Sequence, residues 1–212
     1  VQTDEQILEY CRKEGSSVYH PVGTCKMGAA SDPLAVVDNE LRVHGLHALR
    51  VVDASIFPYL PSGNTHAPTV AVAEKAGKPL MIHGRPTKGS MDAYEDVLTI
   101  LAEHPSVIGN FHFFVGNIDI ARRFLDRGFT MSYTGVLTFS GDYDEVVRFL
   151  PLDRIMSETD APYVAPKAMR GKRNEPSFVS ETAKRIAEIK GEDEDKVKAA
   201  LVENAFRVFK LK

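Results

Sequence analysis

The residue pattern predicts an α/β protein: four parallel strands alternating with helices, preceded by a loop-rich segment. Two observations carry this. Residues 80–212 alternate short apolar runs with amphipathic stretches, the pattern of parallel βα units. Residues 16–70 hold only short apolar runs broken by Gly, Pro, Asn and Asp. So much irregular chain normally lies against something larger.

The elements follow in order. Thr3 with Gln6 forms a capping-box signature, and Gly15 is a stop, so the chain opens on a helix. Leu49-Arg50-Val51-Val52 is a buried-strand candidate within the loops. A helix is expected over 68–77, then a strand over Leu80-Met81-Ile82-His83. Ser90 is expected to cap a helix with Met91, Tyr94, Leu98 and Leu101 on one face. Val107 to Phe114 reads as the second strand, and Asn117 caps a helix that ends at Gly128. Phe129, Met131 and Tyr133 alternate in the third strand. A short helix around Val146 and Leu150 stops near Pro151, and Arg154 to Glu158 is the fourth strand. Two helices, Ser177–Lys190 and Asp193–Phe209, follow.

Composition narrows the function classes only a little. The 212 residues are 43% hydrophobic and 26% charged, which fits a globular chain and not a disordered one. A net charge of −3 supplies no basic field for nonspecific nucleic-acid binding. No run reaches the roughly 18 apolar residues of a membrane span, so no membrane role is expected. No leader peptide is recognised, and Val1 in place of Met suits an excised or incomplete piece, as it does a processed end. Cys11 and Cys25 make no disulfide framework, so a reducing cytoplasm is the default.

Four motifs in the second part carry chemistry. They are Ile82-His83-Gly84-Arg85, His112-Phe113-Phe114-Val115-Gly116, Glu158-Thr159-Asp160-Ala161-Pro162-Tyr163 and Arg170-Gly171-Lys172-Arg173-Asn174-Glu175-Pro176. Together they resemble the C-terminal half of a TatD-type metal-dependent hydrolase. The resemblance implies an incomplete (β/α)8 barrel, a half barrel of four parallel strands over residues 78–212. His83, His112 and Asp160 each end a predicted strand, and in such barrels the chemistry gathers at that rim. Imidazole and carboxylate are ligands for a divalent ion (Zn, Mg or Mn), which activates a water. A lone His is more often a core or loop residue; three ligand-type residues at rim positions, and chiefly the resemblance over residues 78–212, reverse that. The resemblance also implies that Asp160 binds metal and orients or deprotonates the water. It makes Arg85, Arg170 and Arg173 phosphate contacts, because guanidinium pairs well with phosphate oxygens. The alternative for the 170–176 loop is a solvated, helix-capping connection. DNA or another phosphodiester is the implied substrate. The family's His-x-His pair and strand-four Glu have no counterpart here, so the two-metal arrangement is incomplete.

The first part carries a different signature. Ser16-Ser17-Val18-Tyr19-His20-Pro21-Val22-Gly23-Thr24-Cys25-Lys26-Met27-Gly28 and the stretch from Val51 to Thr69 resemble the C-terminal end of a glucose–methanol–choline (GMC) flavin oxidoreductase. That resemblance, over residues 1–77, makes His20 and His66 the catalytic pair facing the flavin, one member of which takes the substrate hydroxyl proton as hydride leaves to the flavin. It makes Asp53, Ala54, His66, Ala67, Pro68 and Thr69 flavin contacts. FAD is nevertheless not expected to bind, because no strand–Gly-x-Gly-x-x-Gly–helix unit occurs to cradle its pyrophosphate. His44 and His47 match no motif and read as a surface turn. Cys25 reads as motif backbone and not as a nucleophile.

Ala73-Glu74-Lys75-Ala76-Gly77-Lys78 suits both families, which places the join there. Three readings stand. The first is a truncated TatD-like phosphodiester hydrolase with impaired activity. The second is a fragment of an FAD-dependent GMC alcohol oxidoreductase, and the third an inactive chimeric remnant. A half barrel leaves two open strand edges and, on this reading, an apolar inner face, so self-association is expected.

Overall fold

The computed structural model describes residues 3–16 and 20–211. Ser17, Val18 and Tyr19 of the His20 motif lie outside the described residues. The chain divides into two compact units, Val1–Val72 and Ala73–Lys212.

The first unit opens on helix α1 (Asp4–Glu14), with the reciprocal Thr3–Gln6 capping box in place. Beyond it the unit is mostly loop. Isolated bridges join Met27 to Val37, Val37 to Val43 and Arg42 to Arg50. A 3-10 turn covers Ala54–Ile56, and Val37 and Ile56 are buried. The strand expected over Leu49–Val52 does not form. Its backbone groups close loop bonds instead, Val43 N–H to Leu49 O and Val51 N–H to Leu41 O. Leu49 is exposed, and one bridged residue, Arg50, is too little partner for a ladder. Helix α2 (His66–Lys75) runs unbroken across the boundary between the units.

The second unit is a parallel sheet with helices following its strands. Its elements are β1 (Leu80–His83), α3 (Asp92–Glu103), β2 (Gly109–His112), α4 (Ile118–Asp126), β3 (Thr130–Tyr133), α5 (Asp144–Phe149), β4 (Ile155–Ser157), α6 (Val179–Lys190) and α7 (Glu194–Phe209). The strands lie in sequence order, β1-β2-β3-β4, all parallel. That is the order of consecutive βα units turning one way. Gly109 leaves no room for a side chain beside β1: a Cβ there would sit 2.2 Å from Leu80 O. Gly128, at φ +80, ends the α4 turn in the left-handed region that favours glycine.

Side-chain caps mark the starts of α1, α4 and α7. Asn117 accepts from Ile120 N–H and Asp193 from Lys196 N–H. The Ser90 hydroxyl accepts from the amide of Asp92, the first residue of α3, at 3.3 Å; the cap position itself falls one residue later, on Met91, which makes no side-chain bond. Asp92 takes over the local bonding. Its carboxylate accepts from the amides of Thr87 and Ala93, both within 2.9 Å. A carboxylate in the first turn also suits the helix dipole.

One face of the sheet is aromatic. Tyr94 from α3 and Phe124 from α4 pack on Phe111 of β2, with Phe114 and Phe129 beside them. The Phe111 and Phe124 rings are 4.1 Å apart at their centroids. All five residues are buried. Side chains alternate along a strand, so Asn110 and His112 of β2 point to the opposite face. Thr130 and Ser132 alternate in the same way with Met131 and Tyr133. That face is polar along β2 and β3, which corrects the expected apolar inner face. The cause is the alternation itself, which reserves the large apolar residues for the helix side. Among the described residues no helix is long and apolar enough to cross a membrane.

The aromatic cluster should dominate the stability of the second unit. Phe124→Ala is expected to cost about 3–5 kcal/mol in urea unfolding. A loss within about 0.5 kcal/mol, the range of a surface substitution, would contradict this packing.

Candidate metal centre

His83 and His112 end adjacent strands and are paired in register. Their ring centroids are 5.6 Å apart. Asp160 follows β4, and its Oδ1 lies 3.5 Å from His112 Nε2. The three side chains named from sequence therefore meet at one rim of the sheet, the C-terminal one. Asp160 holds φ +56, a left-handed conformation that Asp tolerates better than most residues.

Glu158 organises this rim, and sequence reasoning gave it no role. Its Oε2 accepts from His112 Nδ1. Its Oε1 accepts from the Phe113 amide at 2.7 Å and from the Ser132 hydroxyl at 2.5 Å. Phe113 sits at φ +47, unusual for an aromatic residue. Its amide bond to Glu158 is one reason the chain holds that turn immediately after His112. Burial pushes the Glu158 carboxyl up. The bonds from His112, Ser132 and the Phe113 amide outweigh burial and hold it below the usual range. The Glu158 bond raises His112, with burial opposing and Asp160 adding to the rise. His83 moves the other way, lowered first by burial and then by the His112 charge. The signal for Glu158 was present in the sequence: a carboxylate two residues before a ligand-type Asp, at a strand end.

Asn174 is the second residue sequence reasoning left without a role. It is buried, and its amide donates to Thr159 O at 2.6 Å and Tyr163 O at 2.5 Å. Those carbonyls flank Asp160, so the 170–176 loop clamps the Asp160 turn. Of its two arginines, Arg170 stacks over the Phe139 ring at 4.2 Å and Arg173 is exposed. Arg85 lines a cavity of about 540 Å³ beside His83, with Lys88, Ser90, Phe113 and Tyr143 among the other walls. Its charge is felt at His83.

A divalent ion suits these residues in kind. Nδ1 of His112 is taken by a carboxylate, which leaves Nε2 for a ligand, the arrangement common around metal-bound His. His83, His112 and Asp160 are the side chains that would hold it. In number the fit is incomplete: among the described residues no group of three or more His, Cys, Asp or Glu is arranged to hold an ion.

In the first unit, His20 Nδ1 lies 3.1 Å from the hydroxyl of Thr65, the neighbour of His66. His66 begins α2, its Nε2 is buried without a partner, and burial lowers its basicity. Asp53 is occupied locally. Its Oδ1 accepts from both the amide and the hydroxyl of Ser55, capping the turn that starts at Ala54. Ala67, Pro68 and Thr69 form the first turn of α2, where the Thr69 hydroxyl donates to Thr65 O at 2.7 Å. These residues fit FAD poorly. Asp53 is engaged with its own turn, and none of the 212 residues forms a Gly-x-Gly-x-x-Gly cradle.

Comparison with known proteins accounts for both units. The family model described as TatD related DNase matches residues 67–210, and the chain belongs to that family. A second model, GMC oxidoreductase, matches residues 1–73, so the chain joins segments of two families. The two matches overlap within α2. An uncharacterized metal-dependent hydrolase, YabD of Bacillus subtilis (strain 168), is 39% identical over 146 residues, 67% of this chain and 55% of that protein. The chain thus spans about half the length of this relative. An oxygen-dependent choline dehydrogenase of Chromohalobacter salexigens is 53% identical over 75 residues, 35% of this chain and 13% of that protein. The crystal structure of YJJV, a TatD homologue from Escherichia coli K12, superposes with a TM-score of 0.61 at 24% identity. It covers 68% of this chain and 54% of that one. The fold is accordingly an α/β half barrel of the TatD type, preceded by a GMC-like segment.

The two rim histidines should titrate on opposite sides of the ordinary imidazole value of 6.5, His112 above and His83 below. Histidine NMR titrations measure this directly. A folded-state value above the unfolded one stabilises the fold below the unfolded value, and that stability is lost as pH rises through the folded value. The His112 contribution should therefore be full at acid pH and fade as pH rises through its folded value, which lies above 6.5. Coincident titration of the two rings would contradict the geometry.

Proposed function

We propose that this chain is a TatD-like metal-dependent hydrolase acting on phosphodiesters, DNA among them, with impaired activity. The observation that carries the reading is the convergence of His83, His112 and Asp160 at one rim, with Glu158 fixing His112 from behind. A divalent ion held there would supply Lewis-acid polarisation and a nucleophilic water.

The chain's own residues have separable tasks in this reading. His112 presents Nε2 because Nδ1 is committed to Glu158. Asp160 orients the water, or takes its proton, from the turn that follows β4. Arg85 offers a guanidinium to the phosphate at the mouth of the cavity beside His83. Arg170 would have to leave the Phe139 ring to do the same, and Arg173, already exposed, would not. Impairment follows from the ligand count. No His-x-His sequence occurs in the 212 residues, so at most one ion is held, and weakly.

Self-association belongs to the same proposal. β1 and β4 are both edge strands, and open edges invite pairing. Asn204 of α7 already blunts one of them by donating to Ile155 O at 2.8 Å. A reducing cytoplasm suits the two free cysteines.

Hydrolysis of a chromogenic phosphodiester with added Mn, Mg or Zn tests the reading. The expected result is slow, chelator-sensitive turnover that Asp160→Asn reduces at least about tenfold, because an amide is a poorer ligand and no base. Metal-independent turnover would overturn it, as would an Asp160→Asn protein that cleaves as fast as the parent. A yellow protein with bound flavin would favour the GMC reading instead. Sedimentation velocity tests assembly: dimers or larger species are expected, and a clean monomer at high concentration would contradict the open-edge argument.

A further inference from the structure

The polar row on the inner face of β2 and β3 is not explained by the hydrolase reading alone. Asn110, Thr130 and Ser132 are all but inaccessible, at 0%, 0% and 2% exposure. Three buried polar side chains cost folding energy unless they are bonded to one another. They are. The Thr130 hydroxyl donates to Asn110 Oδ1 at 3.0 Å. The Asn110 amide donates to the Ser132 hydroxyl at 2.7 Å. The Ser132 hydroxyl reaches Glu158 Oε1 at 2.5 Å, and Glu158 Oε2 accepts from His112 Nδ1.

The direction of each proton in this row is determined. Glu158, when ionised, can only accept. Ser132 has a single proton to give. Its two acceptors are Glu158 Oε1 at 2.5 Å and Phe111 O at 3.1 Å. The shorter contact, to a charged acceptor, is the stronger one. The Thr130 hydroxyl has two acceptors, Asn110 Oδ1 at 3.0 Å and Gly109 O at 3.3 Å. With the Ser132 proton committed to Glu158, Ser132 must accept from Asn110, so the amide nitrogen of Asn110 faces Ser132 and its Oδ1 faces Thr130. Ser132 and the Phe113 amide together load Oε1. That leaves Oε2 as the oxygen that faces His112.

We infer that Asn110 and Ser132 are positioning residues: through Glu158 they hold His112 as the Nδ1–H tautomer, with the Nε2 lone pair turned toward Asp160. Thr130 closes the row at its far end. As a device for the site, this rests on the metal-hydrolase reading. The tautomer itself exists without metal or substrate, so the two can fail separately.

The experiment is nitrogen NMR of histidine-labelled, metal-free full chain at alkaline pH, where imidazoles are neutral. The His112 signals are assigned by their loss in His112→Gln. The wild type is expected to show His112 predominantly as Nδ1–H. Ser132→Ala should lower the Nδ1–H to Nε2–H ratio roughly three- to tenfold, about the worth of one hydrogen bond, with the Phe113 amide keeping part of the effect. Ser132→Thr, which keeps the hydroxyl, should restore the ratio. Thr130→Val, which conserves volume, should move it in the same direction by less, and it decides the question if Ser132→Ala does not fold. A wild-type His112 that is mainly Nε2–H overturns the inference. So does a ratio unchanged in both Ser132→Ala and Thr130→Val, or unchanged in the Thr130 variant when it alone folds. If the tautomer responds as expected but no hydrolysis is ever seen, the positioning row stands and the hydrolase reading fails.

Discussion

The second unit depends on one carboxylate. Glu158 leaves β4 at the rim and gathers the end of β2 through His112 and Phe113, and the middle of β3 through Ser132. Three strands are thereby tied at the level where the ligand-type residues stand. A half-buried carboxylate is costly unless its oxygens are filled. Here both are filled, and the bonds outweigh burial in setting its charge. The same bonds fix which nitrogen His112 presents. Packing on the helix face and polar bonding on the inner face are thus two consequences of one alternating pattern along β2 and β3.

The join between the two families has a simple physical basis. A helix needs only local spacing and a modest apolar face, so one helix can end one segment and begin another. α2 does this: it begins at His66, in the GMC-like word, and runs to Lys75 before the β1 strand. At its C-terminal end Glu74 accepts from Ser106 at 2.6 Å and from His104 at 2.5 Å. These bonds tie the last turn of the helix to the loop ahead of β2. The second unit therefore holds this helix end itself.

Much of the second unit was legible because period and caps agree there. Asn117, Asp193 and the Phe129–Met131–Tyr133 alternation mark elements that the structure contains within a residue or two. The misses have local causes. The cap of α3 falls on Met91, one residue after Ser90, whose hydroxyl still meets the Asp92 amide while the Asp92 carboxylate fills the amides of Thr87 and Ala93. Leu49–Val52 failed as a strand because a strand needs a neighbour, and no four-residue apolar run announces one. At the site, His83, His112 and Asp160 were readable as ligand types at strand ends. Glu158 left a trace there, as a carboxylate two residues before Asp160, but its role, like those of Asn174, Ser132 and Asn110, is defined by partners in space and not by spacing in the chain. Arg170 looked like a phosphate contact from its motif; its ring partner Phe139 lies thirty-one positions earlier.

The central claim is that Glu158 organises the rim for one divalent ion. Equilibrium titration of Zn or Mn into the parent and into Glu158→Gln tests it most directly. The account predicts about one ion per parent chain, with affinity falling about 10–100-fold in the variant, as loss of the carboxylate behind a metal-bound His generally does. Equal affinity and stoichiometry in the two proteins would contradict it.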